Sequence, residues 1–132
     1  MVKNKTTKLL YSLVLAALVF TLVDGFVHYY FDYLEISAKG GNVIYNSNAP
    51  LLGYMLGKFI GTVILGYLAV YFLSKQKLKN KLLYFTAIIV GILEIRYYFS
   101  GDYSLQWHLL NISMHSIILY ITSKYFISKE LQ

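Results

Sequence analysis

The sequence predicts an all-α membrane protein, a bundle of four transmembrane helices with both termini on the cytoplasmic side. Three observations carry this reading. Hydrophobic residues make up 58% of the 132-residue chain and charged residues only 14%, well below the roughly 25% of soluble domains. A chain this short has too little interior to hide that much apolar surface from water. The apolar residues also gather into four runs, each near the length needed to cross the hydrocarbon of a bilayer. Finally, the lysines stand beside alternate ends of those runs, as they do where cytoplasmic loops hold the positive charge. At this length a single domain is expected.

The first span is predicted at 9–31. Lys3, Lys5 and Lys8 precede it, so its start resembles a signal peptide. However, Asp24 and a row of aromatics stand where a small-residue cleavage site would end the run, and a retained helix is expected. The stretch "SAKGGNVIYNSNA" that follows is rich in Gly, Asn and Ser and reads as a loop. The second span is predicted at 50–73. Pro50 suits a first helical turn, where its missing N–H costs little. Gly53, Gly57 and Gly61 recur at every fourth position along it, a pattern that lets helices approach closely. That stripe makes a homodimer a candidate assembly.

Lys75, Lys77, Lys79 and Lys81 fill the next connection. The third span, at 82–99, is the shortest and carries Glu94 and Arg96. "SGDYS" reads as a tight turn, with Asp102 or Ser104 as a candidate cap for the fourth span at 105–126. Lys124 and Lys129 close that span, while the two loops assigned to the outside hold only Lys39 among basic residues. Aromatic clusters at both ends of the spans fit the two membrane interfaces.

Several classes of function are excluded. Without cysteine there is no disulfide, thiolate metal site or cysteine nucleophile. The net charge of +6 lies in short flanks beside apolar spans, which is a topology signal and not a basic–aromatic surface for nucleic acid. There is no phosphate loop, no H-E-x-x-H and no G-x-S-x-G.

The informative residues are the polar ones inside the spans. With the predicted orientation and about 1.5 Å of rise per residue, Asp24, His28, Lys58, Glu94, Arg96, His108, Asn111 and His115 all fall in the outer half. Asp32 and Glu35 lie at its boundary. Charged groups deep in a bilayer cost several kcal/mol unless paired or hydrated, so their grouping at one depth predicts a shared cavity open toward the outside. Asp24 and His28 are four apart, and His108, Asn111 and His115 follow at three and four, so each set shares a helix face. Glu94 and Arg96 are two apart and point in different directions. Glu94 is expected inside.

Such a cavity suits acid–base or metal-assisted chemistry on a lipid or isoprenoid-like substrate. Asp24, Glu94 and His115 are the candidate catalytic groups, with Lys58, Arg96 and Asn111 as candidate substrate-binding groups. Asp24, His28, His108 and His115 are candidate ligands of a divalent metal such as zinc or iron. By depth, His115 belongs with Asp24 and His108 with His28, the latter also being a possible haem pair. The alternatives are a small proton- or cation-coupled transporter or channel subunit, in which the same groups relay protons or coordinate the cation, and a structural protein whose buried ion pairs only fix packing.

Overall fold

A computed structural model describes the backbone of residues 2–38, 48–100 and 105–131, and side chains within 4–27, 55–95, 105 and 108–131. It contains four α-helices: α1 (Val2–Ala38), α2 (Asn48–Ser74), α3 (Lys81–Ser100) and α4 (Leu105–Phe126). They follow the predicted spans closely, except that α1 runs well past its span at both ends. The helices form a ring in which α1 packs on α2 and α4, and α3 packs on the same two. Neighbours run antiparallel. One end of the bundle therefore gathers the start of α1, the α2–α3 connection and the end of α4, which together hold most of the lysines.

Each helix turns one ridge inward. Leu13, Ala16, Ala17, Phe20, Thr21 and Asp24 are buried along α1, at the alternating three- and four-residue steps of one helix face. Lys58, Thr62, Ala69, Val70 and Leu73 form the ridge of α2, and Phe85, Thr86, Ile89 and Val90 that of α3. On α4 the ridge is Asn111, His115, Leu119, Thr122 and Ser123. Nearer the lysine-rich end the core carries no charge among the described residues and is built on Leu13, Phe20, Leu73, Phe85, Ile89 and Leu119, with the hydroxyls of Thr62, Thr86, Thr122 and Ser123 among them. After α4 the chain continues through turns in which the Ile127 and Glu130 N–H groups donate to the carbonyls of Ser123 and Ile127, each at 2.8 Å, and Ile127 and Leu131 are buried.

The outward faces are apolar too. Phe26 is 73% exposed, and Leu22, Leu56, Ile64, Ile117 and Ile121 are each more than half exposed. Charge is thus buried while large apolar side chains face out, the reverse of a soluble domain. Two segments among the described residues, Asn4–Val27 and Met55–Ser74, are long and apolar enough to cross a membrane.

The α2–α3 connection is tight for stated reasons. Lys75 and Gln76 donate to the carbonyls of Phe72 and Leu73 at 3.3 and 3.1 Å, closing the last turn of α2. Asn80 then takes a φ of 58°, a left-handed conformation that asparagine tolerates better than most residues. Its carbonyl accepts from the Leu83 N–H at 2.9 Å and starts α3.

Among the described residues, the close approaches within the chain are made by glycines outside the α2 stripe. A Cβ on Gly25 would stand 2.7 Å from the Met55 terminal methyl, and one on Gly66 would stand 2.8 Å from a Leu13 methyl. Around Gly61 nothing lies within 4 Å, and Gly57 is exposed. The inward ridge explains the difference. Lys58 and Thr62 point into the bundle, and each glycine one residue earlier is rotated about 100° away from it. Gly53 lies outside the described side chains.

Candidate functional site

All four helices contribute to one buried polar network. Asp24 of α1, Lys58 of α2 and His115 of α4 are each at most 3% exposed, and Asn111 is 4% exposed. Glu94 of α3 closes the set and is partly buried. Their convergence follows from antiparallel packing. Asp24 lies some two-thirds of the way along α1 and Lys58 about one-third along α2, so the two residues meet at one level. Glu94 and His115 meet in the same way across α3 and α4.

The contacts form a continuous chain. The Lys58 ammonium donates to Asp24 Oδ2. Asp24 Oδ1 faces His115 Nε2 at 2.5 Å. The other ring nitrogen, His115 Nδ1, is 2.9 Å from Glu94 Oε1, and the Asn111 amide donates to that same oxygen at 2.7 Å. Lys58 Nζ also lies 3.1 Å from His115 Nε2. The Phe20 ring packs edge-on against His115, with centroids 5.8 Å apart, and lies 6.0 Å from the Lys58 ammonium. Phe20 thus forms the apolar floor of the site.

Hydrogen-bond counting says what this arrangement can do. A neutral imidazole carries one N–H and one lone pair, whereas an imidazolium carries two N–H groups. With the proton on Nδ1, that nitrogen donates to Glu94 and Nε2 accepts from Lys58. When Nε2 gains a proton, it donates to Asp24 instead. The donor for the first state and the acceptor for the second are both in reach, but an Nε2 without its proton would face Asp24 Oδ1 lone pair to lone pair at 2.5 Å, so this contact as it stands requires a proton between the two atoms. The charges fit as well. The Lys58 ammonium and an imidazolium balance the two carboxylates, which limits the cost of burying the set. Glu94 Oε2 is buried and has no hydrogen-bond partner among the described residues.

Of the residues singled out in the sequence, Asp24, Lys58, Glu94, Asn111 and His115 are brought together. His108 is partly buried two turns from His115 on α4 and is not part of the chain of contacts above. The side chains of His28, Asp32, Glu35 and Arg96 lie outside the described residues, as do Asp102 and Ser104. Among the described residues no group of three or more His, Asp or Glu is arranged to hold a metal ion. The ammonium of Lys58 occupies the space that Asp24 and His115 face together.

Sequence reasoning missed Phe20 and Thr21. Both stand one turn below Asp24 on its own face, and that spacing is the signal that would have found them. Thr21 and Thr62 lie one turn toward the lysine-rich end from Asp24 and Lys58, and their hydroxyls are buried without a partner among the described residues. Thr86 and Thr122 give their hydroxyl protons to the carbonyls of Leu82 and Ile118 at 2.9 and 2.6 Å.

No protein-family model matches the chain, and no curated protein and no solved structure matches it, so the site is read from its own geometry.

Proposed function

We propose that this is a small integral membrane protein, crossing the bilayer four times with both termini cytoplasmic. Its outer half carries an acid–base site for a lipid or isoprenoid-like substrate. The membrane reading is supported by the inverted polarity of the bundle, with buried charge inside apolar outer faces. Lysines crowd one end, as the cytoplasmic end of a membrane bundle would have them.

The observation that carries the acid–base reading is the imidazole of His115 held between two carboxylates, with an ammonium beside Nε2. In this reading His115 exchanges the proton at Nε2. Glu94, with Asn111 behind it, fixes the ring through Nδ1. Asp24 stabilises the imidazolium once it forms, and Lys58 is the standing counter-charge. Substrate approaches from the outer side of the network, where His28, Arg96 and His108 belong by sequence, and Arg96 with Lys58 suits an anionic headgroup.

Proton transport uses the same groups, but the layer of Phe20, Phe85, Ile89 and Leu119 below them is largely apolar, and the Thr21 and Thr62 hydroxyls within it make no hydrogen-bonded chain among the described residues. That favours a one-sided site. A metal ion is a further element of the proposal only if His28 joins Asp24 and His115 to complete a ligand set. A homodimer along Gly53, Gly57 and Gly61 is supported by the outward position of Gly57 and the open space at Gly61.

The test compares the lipids of cells expressing the full chain with those expressing His115→Gln, alongside proton flux into proteoliposomes. The proposal expects a lipid or isoprenoid species that changes with the wild-type chain and not with the variant. Identical lipid profiles would overturn the catalytic reading. Flux abolished by the variant would put transport in its place.

A further inference from the structure

Away from the polar network, α3 and α4 leave a groove of about 510 Å³ between them near the lysine-rich end, lined by Leu83, Thr86, Ala87, Ser116, Ile117 and Tyr120. Its walls are effectively apolar, since Thr86 gives its hydroxyl proton to the Leu82 carbonyl. Ala87 and Ser116 keep it open because neither fills the space between the helices. One turn further along α3, Gly91 has nothing within 4 Å of where a Cβ would stand.

The groove's end is charged. Lys124 lies four residues past Tyr120 and seven past Ile117, so it stands on the same ridge of α4 and is exposed. Lys79, in the connection two residues before α3 begins, is exposed at the same end of the bundle. Lys81 is turned the other way, with Nζ 3.5 Å from the Ser74 carbonyl of α2. The acidic residue at this end is Glu130, partly buried beyond α4.

An apolar slot with exposed lysines at its end of the bundle matches a molecule with a hydrocarbon tail and a negatively charged head. We infer that this groove binds one acyl chain of an anionic phospholipid of the inner leaflet, with the phosphate between Lys79 and Lys124. The inference rests on the membrane reading above but not on the acid–base site, which lies on the other side of the apolar core. A second copy of the chain is a poorer occupant. Copies in one membrane share an orientation, so its lysines would meet these lysines.

Native mass spectrometry of the full chain in detergent, with added phosphatidylglycerol or phosphatidylcholine, tests the inference. A lysine near a membrane surface is worth about five-fold in attraction to anionic lipid. The wild-type chain is therefore expected to retain phosphatidylglycerol about ten-fold or more over phosphatidylcholine. Lys79→Gln with Lys124→Gln should erase that preference and leave retention of phosphatidylcholine unchanged. Ala87→Phe with Ser116→Phe should displace both lipids, with helix content by circular dichroism as the control for folding. Equal retention of the two lipids by the wild type, or unchanged phosphatidylglycerol retention in the groove-filled variant, overturns the inference. A chain that leaves the membrane fraction without detergent would instead overturn the membrane reading itself.

Discussion

Lys58→Met is the sharpest test of the buried network. Methionine keeps most of the length of the lysine stem and removes the ammonium. Lys58 is 3% exposed and its partner Asp24 is 1% exposed, so water cannot replace the lost contact. Asp24 keeps its contact with His115 but loses the ammonium, and His115 Nε2 loses the Lys58 donor. Breaking a buried pair by removing one member costs about 3–5 kcal/mol, close to the roughly 2.5–3.5 kcal/mol insertion cost of one charge at mid-membrane. Against a total stability of about 5–15 kcal/mol, that is a large share. For a chain of this size it corresponds to a fall in Tm of about 10–20 °C.

The control is Asp24→Asn with Lys58→Met, which removes both charges and leaves a neutral amide beside His115. It should recover at least about 2 kcal/mol relative to the sum of the single changes. Thermal unfolding in detergent, followed by circular dichroism at 222 nm, gives all four corners of the cycle. Additive single effects, or a Lys58→Met variant within about 1 kcal/mol of wild type, would show that the pair is hydrated and would refute the closed network.

The glycines make a graded series. Gly66→Ala should cost about 1–2 kcal/mol in the same unfolding assay, because the Leu13 methyl 2.8 Å away is itself backed by the core, whereas Gly91→Ala, with nothing within 4 Å, should be neutral or stabilising by up to about 1 kcal/mol. Because the chain has no cysteine, single cysteines report topology cleanly. A membrane-impermeant maleimide should leave Lys77→Cys and Lys129→Cys unlabelled in intact cells and label both after lysis, and labelling in intact cells would reverse the orientation. Elemental analysis of protein purified without chelator addresses the metal. Zinc or iron at one equivalent, lost in His28→Ala, would complete the ligand set with Asp24 and His115, and a trace amount would leave the proton-sharing network as the whole site.

Much of the fold was legible because long apolar runs set apart by lysine-rich and Gly/Asn/Ser-rich stretches mark out helices by length and charge placement. The helix limits at 48–74, 81–100 and 105–126 differ by only a few residues from the predicted spans. The meeting of Asp24, Lys58, Glu94, Asn111 and His115 was legible for a related reason. Once alternate spans run in opposite directions, position along the chain becomes depth, and groups at one depth in a narrow bundle can touch. What depth does not give is rotation about the helix axis. The spacing of the α2 glycines left open whether they pack within the chain or on another copy, and within the chain it is Gly25 and Gly66 that meet a neighbouring helix. Rotation is set by which residue cannot face outward, and on α2 that residue is Lys58. The α3–α4 groove was illegible for another reason. A gap is a property of two surfaces together, and neither Ala87 nor Ser116 signals it alone.

The pairing pattern also bears on how the chain is put together. Asp24 and Lys58 belong to consecutive helices and meet each other, while Glu94 meets Asn111 and His115 on the helix that follows its own. Each half of the sequence is thus a hairpin that carries its own partner for its charge, which under the proposed membrane reading spares each half from entering the hydrocarbon with a naked ion. The polar link between the halves is the contact of His115 with Asp24 and Lys58. The residue best placed to move a proton is also the clasp that joins two prefabricated units, and the site is complete only when assembly is.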